Sequence, residues 1–268
     1  MRPLAAAPLA WILVVSPAAS AEPEQVQLTF DTYAAGIEVM QLTAYFGIGP
    51  WNYQIRIDYH TTGLVGLLYR GSQINAVRGV WQDNQASPVE FFGQGEWRGQ
   101  QRRTLIDYDH GLPVVRDLVP PQQSEREPVP RDLQLHTMDT LSALAQLMRR
   151  VGHDHTCETT VHTYDGRRML EVSARTGGME TLAPSGRSTF SGPALRCDFE
   201  GREVAGFLLG ENDPEHRRPL HGAAWLAPLV HEGPVLPVRI AFQTRWFGPA
   251  TMYLTAATPV HPGEAPRN

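Results

Sequence analysis

Residues 51–60 alternate without a break: Trp51, Tyr53, Ile55, Ile57 and Tyr59 on one side, Asn52, Gln54, Arg56, Asp58 and His60 on the other. A ten-residue run of period two cannot place its apolar side chains on one stripe of a helix, so it predicts a half-buried β-strand. The pattern recurs. Val26, Leu28 and Phe30 alternate with Gln27, Thr29 and Asp31. Ile37 to Phe46 reads as a second strand whose apolar phase slips at Val39–Met40, which predicts a β-bulge. Further strands are expected near 73–82, 89–97 and 101–108, with Gly99–Gln100 turning the last two into a hairpin. Strands joined by turns, without helices between them, give an antiparallel meander.

One clear helix interrupts the strands. From about 138 to 151, Leu141, Leu144, Ala145 and Met148 follow the spacing of a single apolar face. Thr137 or Asp139 can cap its start, and Gly152 can close its end. The stripe is expected to pack on the concave face of the sheet, the large apolar surface available to it. Residues 109–135 carry five prolines and no apolar period, and read as a long connection. Strands resume at 157–163, return after the Asp165–Gly166 turn over 168–175, and continue at 195–204, 235–244 and 251–255. The expected fold is mainly β: a large curved antiparallel sheet or open barrel wrapped around one main helix.

The first twenty-one residues read as an address. Arg2 precedes an apolar stretch from Leu4 to Val15, and Ala19-Ser20-Ala21 closes it. This is the pattern of a cleavable secretory signal, and the apolar run is short for a membrane span. No Cys follows Ala21 to carry a lipid anchor. Residues 1–21 are therefore expected to be a signal peptide, 22–258 a single β-rich domain, and 259–268 a flexible tail, with the product periplasmic and without an integral membrane segment. In an oxidising compartment Cys157 and Cys197, the chain's two cysteines, are expected to form a disulfide. A redox pair would show C-x-x-C spacing, which is absent. His153-Asp154-His155 with Cys157 resembles a metal-ligand set, but a disulfide removes the thiolate, leaving a solvated loop as the stronger reading.

Composition narrows the function classes. All 23 basic residues are Arg, which excludes lysine Schiff-base chemistry and the P-loop lysine. A net charge of −5 argues against a nucleic-acid partner. The Arg pairs at 102–103, 149–150, 167–168 and 217–218 read as solvated faces. The nucleophile elbow G-x-S-x-G and the metalloprotease motif H-E-x-x-H are both missing. No catalytic residue, cofactor or metal is expected, and nothing in the chain specifies a protein partner.

Four stretches, taken together, resemble the bacterial family called domain of unknown function 3108. They are Thr62-Gly63-Leu64-Val65-Gly66-Leu67; Pro128-Val129-Pro130 leading into Met138-Asp139-Thr140-Leu141-Ser142-Ala143-Leu144; Cys157 followed by Tyr164-Asp165-Gly166-Arg167-Arg168; and Gly192-Pro193-Ala194-Leu195-Arg196-Cys197 with Ala205-Gly206-Phe207 after it. Thr140 stands where the family pattern has Pro. The resemblance implies an exported envelope protein of no assigned activity, similar in fold to the open β-barrel lipoprotein carriers LolA and LolB.

Two functions lead, with acid–base hydrolysis of an envelope polysaccharide a third and weaker option. One is non-catalytic binding of a lipid or other apolar ligand in a pocket lined by Trp51, Tyr53, Ile55, Leu64 and Leu67. The other is envelope scaffolding with a filled core and no ligand. Leu64 to Tyr69 is either an apolar lip admitting a ligand or a plug that fills the core, the second being the commoner fate of such a run.

Overall fold

A computed structural model describes residues 23–68, 70–97, 99–210, 217–230, 233–244 and 248–260. The proposed signal peptide and residues 261–268 lie outside them. Thirteen antiparallel strands form one sheet, bent into a nearly closed barrel. The strands are β1 (Gln25–Ala34), β2 (Ile37–Ile48), β3 (Asn52–Thr61), β4 (Gly71–Gln82), β5 (Gln85–Trp97), β6 (Gln100–Asp109), β7 (Leu112–Val119), β8 (Thr159–Tyr164), β9 (Met169–Leu182), β10 (Gly192–Ala205), β11 (Leu220–Pro228), β12 (Val235–Thr244) and β13 (Gly248–Val260). Their spatial order is β7-β6-β5-β4-β3-β2-β1-β13-β12-β11-β10-β9-β8. Two meanders are thus zipped together by β1 against β13, and β7 and β8 are left as the two edges.

The slip read in β2 is a bulge. Thr32 pairs with Met40 and Tyr33 with Glu38, so Val39 is the extra residue. Two strands lie where none was expected. β7 falls inside the supposed 109–135 connection; it holds Pro113 because an edge strand has no ladder partner on its outer side. β11 is buried at every position from Ala223 to Ala227, which removes the alternation that would reveal it. β13 also runs past the expected tail boundary, pairing Pro259 with Val26 and Val260 with Gln25.

The main helix, α2 (Thr140–Asp154), follows two short 3-10 turns. α2 touches β3, β4 and β5 on one side and β8 and β12 on the other. Asp139 caps it, accepting from the backbone N–H groups of Leu141 and Ser142, both at 2.9 Å. It ends three residues later than expected, with His155 in the left-handed conformation, so Gly152 is helical and does not close it. Leu141 and Met148 are buried as predicted, but Leu144 is half-buried and Leu147 takes an inner position. Its buried Ser142 and Gln146 find partners inside the barrel. The Tyr53 hydroxyl donates to Ser142 Oγ at 2.8 Å, and Gln146 Oε1 accepts from the Ala86 N–H at 2.5 Å. Gly79 sits opposite Tyr53, where any Cβ would collide with the ring.

Asp139 makes this packing pH-dependent. Burial pushes its carboxyl from 3.8 up to about 6, against the hydrogen bonds from Ser142 and Leu141 that pull it down. The folded state therefore holds a proton that the unfolded state releases. The stabilisation is full below the unfolded value and is lost as pH rises through the folded one, by about 3 kcal/mol in total. Asparagine is an equally good cap. Between about pH 3 and 7, urea unfolding should show the parent losing roughly 3 kcal/mol more than Asp139→Asn. Equal slopes in the two proteins would refute the assignment.

Candidate functional site

The inner face changes character along the barrel. Near α2 the cross-strand row is Ile55, Val77, Phe91 and Ile106. One step on it is Ile57, Asn75, Gly93 and Thr104, and the next is Tyr59, Gln73, Gly95 and Arg102. The strands still alternate, but the side chains aimed inward become polar or vanish. Gln146 and Arg149 of α2 reach Ala86 and Asn84 at the far end of β4 and β5, so the helix fills that half. The other half holds a cavity of about 560 Å³. Ligand sites commonly enclose about 300–1,000 Å³.

Arginines from distant parts of the chain converge on this mouth. Arg102 forms a two-pronged pair with Glu125 at 2.7 and 3.0 Å, which holds the Glu125 carboxyl below the usual carboxylate range. Arg126 Nη1 donates to Glu203 at 2.8 Å and to the Gly206 carbonyl at 2.7 Å. Arg167 is buried and donates to the carbonyls of Val119, Pro120 and Arg103, tying the β8–β9 turn to the ends of β6 and β7. Its surroundings, chiefly its burial, lower its pKa. Arg168 Nε meets Asp165 Oδ2 at 3.1 Å, and that carboxylate holds the guanidinium in its charged form. Phe91, Trp97 and Leu208 supply the apolar part of the lining.

The five predicted pocket residues do not meet. Tyr53 and Ile55 are sealed in the core beside α2. Trp51 is 76% exposed at the rim beyond β3's start, while Leu64 and Leu67 are 64% and 77% exposed on a short helix, α1 (Gly63–Leu68), at the opposite rim. A ten-residue strand separates the two ends by roughly 33 Å, too far for one pocket. α1 buries no residue, so the segment is not a core plug. The Arg pairs 102–103 and 167–168, expected on solvated faces, line the mouth. Gly93 and Gly95, at inward positions of β5, are glycines because a Cβ would run into β4, at Asn75 Oδ1 for Gly93 and at the Ser72 carbonyl and Gln73 for Gly95.

Cys157 and Cys197 form the expected disulfide, with a Cα–Cα distance of 5.6 Å, and both are fully buried. His153 and His155 are exposed, and no metal-ligand group of three occurs among the described residues.

A second groove, of about 470 Å³, crosses the outer face and is floored by Ala223, Ala241 and Thr251. Its wall belongs to a ladder of register neighbours, Arg196, Trp225, Arg239 and Tyr253. The Arg239 guanidinium lies 5.6 Å from the Trp225 ring and 5.2 Å from the Tyr253 ring. Glu180 accepts from Trp225 Nε1 at 2.6 Å and pairs with Arg196 at 3.0 Å.

Residues 27–255 match the family model described as protein of unknown function (DUF3108). The chain belongs to the DUF3108 family. No curated protein matches it. Among solved structures, this DUF3108 chain is similar to a β-barrel-like protein of domain of unknown function DUF1849 from Brucella abortus. The identity is 9%, the TM-score 0.51, and the match covers 90% of this chain and 99% of that one. At that identity the likeness speaks for a shared barrel-like fold. Among the described residues, no helix of the DUF3108 chain is long and apolar enough to cross a membrane.

Proposed function

We propose that this DUF3108 protein is a non-catalytic, exported cell-envelope protein that holds a small amphiphilic ligand in the open half of its barrel. The carrying observation is the division of the interior. α2 occupies one half, and the other keeps a lined cavity of about 560 Å³. The disulfide fits an oxidising compartment, and residues 1–21 supply the export signal. The ligand is not purely apolar, because arginines and amides line its site.

Native mass spectrometry of the protein purified from its own periplasm is the test. A retained, non-covalent adduct of a few hundred daltons, lost on unfolding, is expected, in keeping with pockets of this size. A mass equal to the bare chain, together with no saturable binding of any amphiphile, would overturn the proposal. A second reading rests on the outer ladder, whose fixed arginines and tryptophan suit an envelope scaffold. On that reading Trp225→Ala removes the protein from the envelope fraction, whereas a change at the mouth leaves it there.

A further inference from the structure

The mouth also states which end of an amphiphile enters. We propose that the ligand carries an acidic head group and binds head first, with the acid on Arg168 inside the barrel and the chain laid against the leucines of α1 at the rim. This rests on the reading of the mouth as a ligand site, and goes beyond it in assigning polarity and orientation.

Charge argues for the acid. Five arginines, Arg102, Arg103, Arg126, Arg167 and Arg168, line the cavity. Four carboxylates answer them: Glu125, Asp117, Glu203 and Asp165. Among the described residues Arg167 is held by carbonyls alone, with no carboxylate paired to it. Arg168 uses Nε on Asp165, and its two Nη groups make no hydrogen bond among the described residues. Its side chain remains 41% accessible, and it is one of the residues that line the cavity. Two free N–H-bearing nitrogens in one plane match the two oxygens of a carboxylate or phosphate. An alkyl chain in the same place would strip water from Gln73, Asn75, Thr104 and the guanidinium and return no hydrogen bond.

The rim argues for the chain. Leu64, Leu67 and Leu68 of α1 stand in solvent, and exposed aliphatic clusters on soluble proteins mark contact sites. α1 is nonetheless well anchored. The Thr62 N–H donates to the Val39 carbonyl at 3.0 Å, and Thr62 Oγ1 donates to Glu38 at 3.0 Å. Trp97 connects rim to cavity. Its ring covers Gly71, where a Cβ would stand 2.5 Å from it, and Gly71 opens β4, the next element after α1. Leu67 lines a groove with His60, Ser72 and Glu96 on the outer side of the rim, and Gly71 lines it too, so a ligand chain leaving the cavity passes Trp97 and bends over Gly71 to reach the leucine.

Calorimetric titration of the full, oxidised chain with three probes below their micellar concentrations decides the matter. The probes are dodecyl phosphate (acid with chain), dodecylphosphocholine (chain with a zwitterionic head) and glycerol 3-phosphate (acid without chain). Dodecyl phosphate is expected to bind about tenfold or more tightly than either of the others. Arg168→Gln should erase its advantage over dodecylphosphocholine. Leu67→Asp, at an exposed position, should weaken both dodecyl compounds and leave glycerol 3-phosphate unchanged. Equal affinity for the two dodecyl compounds overturns the head-first orientation while leaving the mouth as a site. Glycerol 3-phosphate binding as tightly as dodecyl phosphate overturns the role of the rim and assigns the site to free phosphate esters. Silence of all three probes overturns this inference and the mouth reading together. Should Arg168→Gln not fold, the probe ranking and Leu67→Asp still separate these outcomes.

Discussion

Removing the Cys157–Cys197 bond lowers the unfolding free energy by about 4 kcal/mol, the chain-entropy value for a closed loop of this length. The separation is 40 residues, and the loop contains β8, β9 and the turn bearing Arg167 and Arg168. The bond also ties the segment leaving α2 to the middle of β10, so it holds the helix against the wall as well as closing a loop. Guanidinium unfolding of the oxidised protein and of the double variant Cys157→Ala/Cys197→Ala measures it. A difference under about 1 kcal/mol would mean that packing alone fixes this segment. Because both sulfurs are fully buried, the native protein should resist a reductant that opens the bond readily once the chain unfolds.

Met148→Ala costs about 2–5 kcal/mol, the range for truncating a buried side chain in a tight core. Met148 is 2% exposed on the face of α2 packed into the core. Leu144→Ala, at a half-buried position, should cost distinctly less. The apolar spacing of the helix made Leu144 and Met148 equals; the barrel does not, because it presents wall on several sides of α2 and leaves Leu144 only half-buried. Parallel denaturant titrations of the two variants compare them. Equal losses would place Leu144 as deep as Met148 and contradict the packing described.

The first six strands were legible because one face of each meets the core and the other meets water. β11 was illegible because both of its faces are covered, and β7 because its proline and charges look like loop until it is known to be an edge. α2 was legible for its spacing, though not for its sealed polar residues, whose partners Tyr53 and Ala86 lie far off in sequence. The disulfide followed from having two cysteines and an expected export signal. The mouth did not follow from anything local. Polar residues point inward there, so alternation names the wrong face. Arg102 and Arg167 come together through a fold that no short-range pattern records. Trp51, Leu64 and Leu67 misled for the converse reason: large apolar residues at strand ends fall on the rims.

In a fully paired barrel, strand number and stagger set the girth, and it changes only by breaking a ladder. Here β7 and β8 never pair with each other, and the circle is completed by the Arg167 side chain and the chain segment between β7 and α2. Its circumference therefore has one joint made without a ladder between neighbouring strands. Across it run the guanidinium of Arg167 and a single backbone bridge, Met138 to His162 and Tyr164 of β8, so this vessel is closed by a clasp rather than by its staves.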